Sequence, residues 1–172
     1  MRAYVVGGGS SARGFDWEAE PHAGALVIAC HNAAWGLPFA PNVQLSADWI
    51  YWASGGTCRP GALPVWVDLA DSPPAFGGPP GALRVPATGG LWDHVWSTSL
   101  ADGLMVGGCS GVPALNLAYL LGALEVHLVG IDLEGVSPDE NPWRRLRESF
   151  AFAAEQAARG GVTVVPRGKW RP

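Results

Sequence analysis

GGCSGVPALNLAYLLGALEVHLVGIDLEG, residues 107–135, holds a glycine turn, a helix start, a helix, a strand and a carboxylate in one continuous unit. From Val112 to Leu121 the apolar positions Leu115, Ala118 and Tyr119, followed by Gly122, recur at the three-to-four-residue interval of a helix with one buried stripe. Ser110 stands where a cap belongs. Pro113 falls in the first turn, where a missing N–H costs nothing because that donor has no partner inside the helix. Val126–Val129 is then continuously apolar rather than alternating, as in a parallel strand covered on both faces. A helix leading into a doubly buried strand is the building unit of an α/β sheet.

The pattern recurs outward from this stretch. Ala3–Val6, Leu26–Cys30, Val65–Val67, Leu83–Val85 and Val162–Val165 are short apolar runs bounded by glycine and proline, and read as further strands. A second helix is expected from Pro142 to Arg159, closed by Gly160 and Gly161. Gly-Ala-Leu triplets precede four of the strands, at Gly24, Gly61, Gly81 and Gly122, but their spacing is unequal and marks helix or loop ends rather than a repeat. Ser54–Trp96 has most of the prolines and no helical period, so loops with short strands are expected there. The fold class is α/β: a single Rossmann-like domain over residues 1–172, a mostly parallel sheet with helices on both faces.

Composition agrees. With 172 residues, 48% of them hydrophobic and 15% charged, the chain is long enough to bury a core and too apolar to be disordered or a coiled coil. MRAYVVGGGS has an apolar run too short for a signal peptide or membrane span, which predicts a cytoplasmic protein with no membrane partner. Cys30, Cys58 and Cys109 have neither disulfide nor zinc spacing and are expected as free thiols, so no tightly bound cofactor or metal is expected. Asn141–Pro172 carries seven of the eleven Lys and Arg, with only Glu148 and Glu155 as acids, on a chain of net charge -4. That segment reads first as a solvated amphipathic helix, with Arg144, Arg145 and Arg147 flanking Leu146 and Phe150, and secondly as a surface for a polyanion.

Three places carry candidate chemistry. In VVGGGSS a buried strand runs into Gly7, Gly8 and Gly9, which permit a tight turn and close approach of a ligand, with Ser10 and Ser11 as donors to phosphate oxygens. It lacks the GxGxxG spacing, which disfavours a nicotinamide or flavin site. At the carboxyl end of the next strand, Asn32 suits a nucleobase edge or ribose, or a structural turn, and His31 is a proton carrier or a loop histidine. Ser110 and Gly111 begin a helix whose amides suit a phosphate, and Asp132 enters the same crevice, where it can hold ribose hydroxyls, a proton, or magnesium together with Glu134. Cys109 reads as a small core residue and His127 as a buried strand histidine.

The order of VVGGGSS, CHNAAW (30–35), LSADWIYW (45–52) and SGVPALNLAYLLGALEVHLVGID (110–132) resembles the bacterial sialyltransferases of lipooligosaccharide synthesis and their phage-encoded relatives. It is also similar to the archaeal 6-hydroxymethylpterin diphosphokinase-like domain. The likeness covers Ala3–Gly135, with nothing matching between Tyr51 and Leu104. It implies a Rossmann-like domain in which Gly8, Gly9, Ser10 and Asn32 contact the nucleotide and Ser110 and Gly111 hold the donor's anionic part, with Asp132 closing the GID strand. Those sialyltransferases use a histidine beyond that strand as general base. This chain has none after His127, which leaves Asp132, Asp48 and His94 as candidates.

The function expected is therefore a small glycosyltransferase-like enzyme that moves a group from a nucleotide sugar to a hydroxyl acceptor. A modified base in phage DNA is one such acceptor, with Arg144, Arg145, Arg147, Arg159, Arg167, Lys169 and Arg171 meeting phosphates. The alternatives are a magnesium-dependent pyrophosphokinase and a non-catalytic nucleotide-binding module. Trp49, Trp52, Trp66, Trp92 and Trp96 read as core or homo-oligomer interface before sugar-stacking residues.

Overall fold

The computed structural model describes residues 1–70, 72, 78–133 and 141–170, the side chains at 141–143 excepted. Glu134 and Arg171 lie outside the described residues. In chain order the elements are β1 (Arg2–Val6), β2 (Leu26–Cys30), β3 (Val43–Ser46), α1 (Trp49–Ala53), β4 (Leu63–Asp68), β5 (Leu83–Thr88), β6 (Leu104–Met105), α2 (Gly111–Leu120), β7 (Glu125–Val129), α3 (Asn141–Arg159) and β8 (Thr163–Pro166). The eight strands form one sheet in the order β6-β5-β4-β3-β2-β1-β7-β8, and every pair is parallel.

The continuous apolar runs are explained by burial on both faces. Along β1, Ala3 and Val5 enter one core with Ile28, Leu128 and the inner residues of α2 and α3, while Tyr4 and Val6 enter a second core with Val27, Ala29 and Val129. The first face is covered by α2 and α3, which pack on each other where a Cβ on Gly111 would stand 2.6 Å from Phe150 Cζ. The second is covered by the segment that carries Trp17, Ala34 and Leu37, which includes two 3₁₀ turns at Ser10–Ala12 and His31–Gly36. Short turns suffice there because Trp17, edge-on to Tyr4, Phe15 and Phe39, supplies the area that a longer helix would otherwise have to bring.

Two further strands lie outside the apolar runs read from the sequence: β3, which polar residues interrupt, and β6, which is only two residues long. In β3, Val43 and Leu45 face the larger core, whereas Gln44, wholly buried, donates to Tyr51 Oη at 3.1 Å and to Thr57 O at 2.9 Å and accepts from the Arg59 amide at 2.7 Å. Full satisfaction makes a buried glutamine tolerable in a strand. The two residues of β6 are held by Asn116 of α2, which accepts from the Met105 amide at 2.8 Å and donates to Ser97 O at 2.9 Å. Among the described residues no helix is long and apolar enough to cross a membrane.

The strand order places the site. From β1 the chain proceeds through β2 to β6 on one side, then returns through α2 to β7 on the other. The carboxyl ends of β1 and β7 therefore flank a switch point, where loops diverge and leave a crevice.

Candidate functional site

A cleft of about 740 Å³ opens at that point, lined by four loop ends: Gly7–Ser10 after β1, Cys30–Ala33 after β2, Gly108–Gly111 before α2, and Gly130–Leu133 after β7. Leu146 and Phe150 of α3 form an apolar wall. The glycine turn and the α2 start thus share one cavity, together with Asn32 and Asp132.

The glycines are not interchangeable. A Cβ on Gly7 would stand 2.6 Å from Gly130 O, and one on Gly9 would stand 2.6 Å from Asp132 Oδ2, so both exist to let the β1 and β7 loops cross. Gly8 has nothing within 4 Å and is the one whose missing side chain leaves room in the cleft.

Asp132 is the hub of that crossing. It is 8% exposed and accepts from the Ser11 amide at 2.9 Å, Ser10 Oγ at 3.2 Å, the Lys169 amide at 3.3 Å and the Ser11 hydroxyl. Burial acts to raise its pKa, but the hydrogen bonds from Ser11, Lys169 and Ser10 outweigh it and hold the carboxyl below its ordinary value. A carboxylate so engaged is a poor proton acceptor; Asp132 ties three loops together and presents negative charge to the cleft. Ser11 is correspondingly turned inward, away from the ligand role expected of it.

The other two base candidates are also committed. Asp48 accepts from the Ile50 amide at 2.9 Å, caps α1, and lies beside the cleft rather than in its lining. His94 is outside the cleft: its Nε2 lies 2.9 Å from Ser149 Oγ and its ring stacks on Phe152, buttressing α3.

Ser110 departs from the expected cap, since its side chain makes no cap hydrogen bond. Its Oγ accepts instead from the Ala47 amide at 2.9 Å and lies 2.6 Å from His31 Nε2. The amides of Gly111 and Val112 reach the Cys109 thiol, whose pKa burial pushes up to about 11 despite them, so the α2 start is shared with a sulfur and is not an open anion site. Cys30, Cys58 and Cys109 are all free thiols.

His31 is the cleft residue that the sequence signals least. Its only mark is its place at the carboxyl end of β2. Its backbone is in the left-handed region, φ 50, and its ring stacks on Tyr51 at 4.8 Å and 9°. Burial lowers its pKa, while Asp48 pulls weakly the other way, so the imidazole is neutral at pH 7. Tyr51 also orients Asn32. Because Tyr51 Oη accepts from Gln44, its one proton is shared between Asn32 Oδ1 at 3.1 Å and Thr57 O at 3.3 Å, which leaves the Asn32 amide nitrogen to donate into the cleft.

The described basic residues of the C-terminal part are mostly dispersed. Arg147 donates twice to Leu133 O, at 3.2 and 3.1 Å, Arg159 pairs with Glu155 at 2.6 Å, and Arg144 reaches Glu148 at 3.9 Å. Arg145 lies over the Trp92 ring at 5.8 Å. Arg167 donates to His127 Nδ1 at 2.9 Å and pairs with Glu20 at 3.4 Å on the opposite face of the sheet. Arg147 and Lys169 do share a second cleft of about 510 Å³, which adjoins the first through Asp132 and Leu133. No tryptophan lines the main cleft among the described residues; Trp52 and Trp66 are core. Nor does any group of three or more His, Cys, Asp or Glu among them stand ready for a metal ion, and magnesium at Asp132 would have to displace the donors it already serves.

Fold and site together define a parallel α/β chain with a switch-point cleft. Compared with protein-family models, curated proteins and solved structures, the chain matched none.

Proposed function

We propose that the chain is a nucleotide-dependent group-transfer enzyme of glycosyltransferase type. The observation that carries this reading is the convergence of residues 7–10, 30–33, 108–111 and 130–133 on one cleft at the switch point. Gly8 allows the backbone to approach a phosphate, and the Asn32 amide nitrogen donates to an acceptor edge of the base or to the ribose. Asp132 is the only carboxylate among the lining residues described. The ligand's negative charge is therefore met by backbone amides and by Arg147 and Lys169 in the adjoining cleft. Leu146 and Phe150 exclude water from the side of α3, as transfer to an alcohol rather than to water demands.

A pyrophosphokinase needs Asp132 to ligate magnesium, and its saturated oxygens weigh against that. A hydroxylated base in DNA suits as an acceptor if Arg144 and Arg145, both exposed, meet phosphates. Calorimetric titration with nucleoside mono- and diphosphates and their sugars, followed by an assay for nucleotide released when a hydroxyl acceptor is added, tests the reading. Saturable nucleotide binding with acceptor-dependent release is expected. Absence of binding by every nucleotide and nucleotide sugar tried overturns it; binding without release reduces the chain to a nucleotide-binding module.

A further inference from the structure

We propose that Ser110 and His31 form the proton relay of this site, Ser110 receiving the acceptor's hydroxyl proton while passing its own to His31 Nε2. The inference rests on the reading of the cleft as a group-transfer site. It starts from the 2.6 Å separation of Ser110 Oγ and His31 Nε2, both of which line the cleft.

The relay uses one of the two imidazole tautomers that the hydrogen bonds admit. A serine hydroxyl has one proton and two lone pairs. The Ala47 amide takes one lone pair at 2.9 Å. In the tautomer that carries its proton on Nδ1, the neutral imidazole accepts the hydroxyl proton at Nε2, and the second lone pair is left for a proton donor in the cleft. The groups around it are Asp48 at the head of α1, the Tyr51 ring on its face, and Cys30, Cys109 and Asp132 in the cleft lining. Asp48 is the one whose charge favours an imidazolium once it forms.

The backbone supports a role beyond packing. A non-glycine residue held at φ 50 costs stability, and such residues persist where the surroundings impose them, often at working sites. Here the Tyr51 stack and the Ser110 contact impose it.

In the transfer step the acceptor oxygen forms its bond to the donor carbon as the bond from that carbon to the phosphate oxygen breaks, and the nucleotide leaves with the electron pair. The acceptor's proton moves to Ser110 Oγ, and the former Ser110 proton moves to His31. The imidazolium later returns its proton to water through the open cleft. Atoms and charge balance, and no metal or redox partner enters.

His31→Asn is the decisive variant, because asparagine tolerates a left-handed backbone and folding is preserved. It should lower kcat by about 100-fold or more, the ordinary contribution of a positioned acid–base group, while nucleotide affinity stays within about twofold. In the wild type, kcat/KM should fall at acid pH with an apparent pKa below 6.5, and that limb should be absent in His31→Asn. Ser110→Ala should also lose activity, and ¹⁵N spectra of the wild type should show His31 protonated at Nδ1 and bare at Nε2. Turnover that survives in His31→Asn with the acid limb intact, or a proton resident on Nε2 at pH 7, overturns the relay alone. Failure of the wild-type chain to bind any nucleotide removes the parent reading, and the relay with it.

Discussion

The Asp132 carboxylate accepts from the Ser11 amide at 2.9 Å across 121 residues of chain, joining the end of β7 to the turn that follows β1. The bond closes the floor of the cleft, so the residue that resembled a reacting group is first a fastening. Asp132→Asn turns one accepting oxygen into an NH₂ that faces donors already pointed at it. A loss of about 2–3 kcal/mol in unfolding free energy is expected, the usual cost of stranding buried donors to a charged group, and urea denaturation measures it. An unchanged midpoint would show that the crossing is held by the glycines alone.

Gly8 and Gly9 are neighbours with opposite sensitivities. Gly8→Val points into open cleft and should leave the thermal midpoint within about 1 °C of wild type, since it disturbs no packed group, while nucleotide binding is lost. Gly9→Ala drives a Cβ to 2.6 Å from Asp132 Oδ2 and Gly130 O, and should cost about 1–3 kcal/mol by overpacking. Paired thermal scans and titrations read both. A Gly8→Val protein that binds nucleotide as the wild type does places the ligand elsewhere.

Stability should also depend on pH through His31. Its folded pKa is lowered from 6.5 by burial, so between the two values the unfolded chain holds more proton than the folded one. The contribution is therefore whole above pH 6.5 and is lost as pH falls below it. Asp132, lowered from 3.8, acts in the same direction but only in the more acid range, so the two windows separate. Denaturation between pH 7 and 5 should show a decline in wild type that is diminished in His31→Asn. Parallel curves for the two proteins would contradict a buried neutral imidazole.

The sheet was legible wherever a strand is apolar on both faces, which is why β1, β2, β7 and the α2 and α3 helices stand in the sequence within a residue or two of their ends. Strand β3 was hidden because Gln44 and Ser46 interrupt its apolar run, and the satisfaction of Gln44 depends on Tyr51, Thr57 and Arg59, partners a local pattern does not reveal. At the site, position was legible and role was not. Being at a strand's carboxyl end marked Asn32 and Asp132 for the crevice, but the four donors that engage Asp132 come from residues 10, 11 and 169, far along the chain. The pairing of His31 with Ser110 spans 79 residues and has no signature in spacing.

Charge shows the same limit at Arg167, one of seven basic residues that cluster in sequence, and one that lies apart from Arg147 and Lys169 in the structure. Its Nε donates to His127 Nδ1, so that nitrogen bears no proton; His127 Nε2–H then donates to Glu125, which also pairs with Arg2 at 2.9 Å. With Glu20 bound to both Arg167 and Tyr4, a chain of six polar residues bridges β1, β7 and the end of β8 through a histidine that is 2% exposed. Arg167 therefore serves the sheet rather than a polyanion. Arg167→Gln should destabilise by about 1–2 kcal/mol, part of the Glu20 pairing being screened at the surface, and should leave affinity for duplex DNA and its salt slope unchanged. The Arg144→Gln/Arg145→Gln pair should do the reverse, sparing stability and shallowing the slope of any DNA binding by about two. Filter binding across salt concentrations, beside urea curves for the same proteins, separates the two groups; a DNA affinity that drops with Arg167→Gln would return that residue to the nucleic-acid surface.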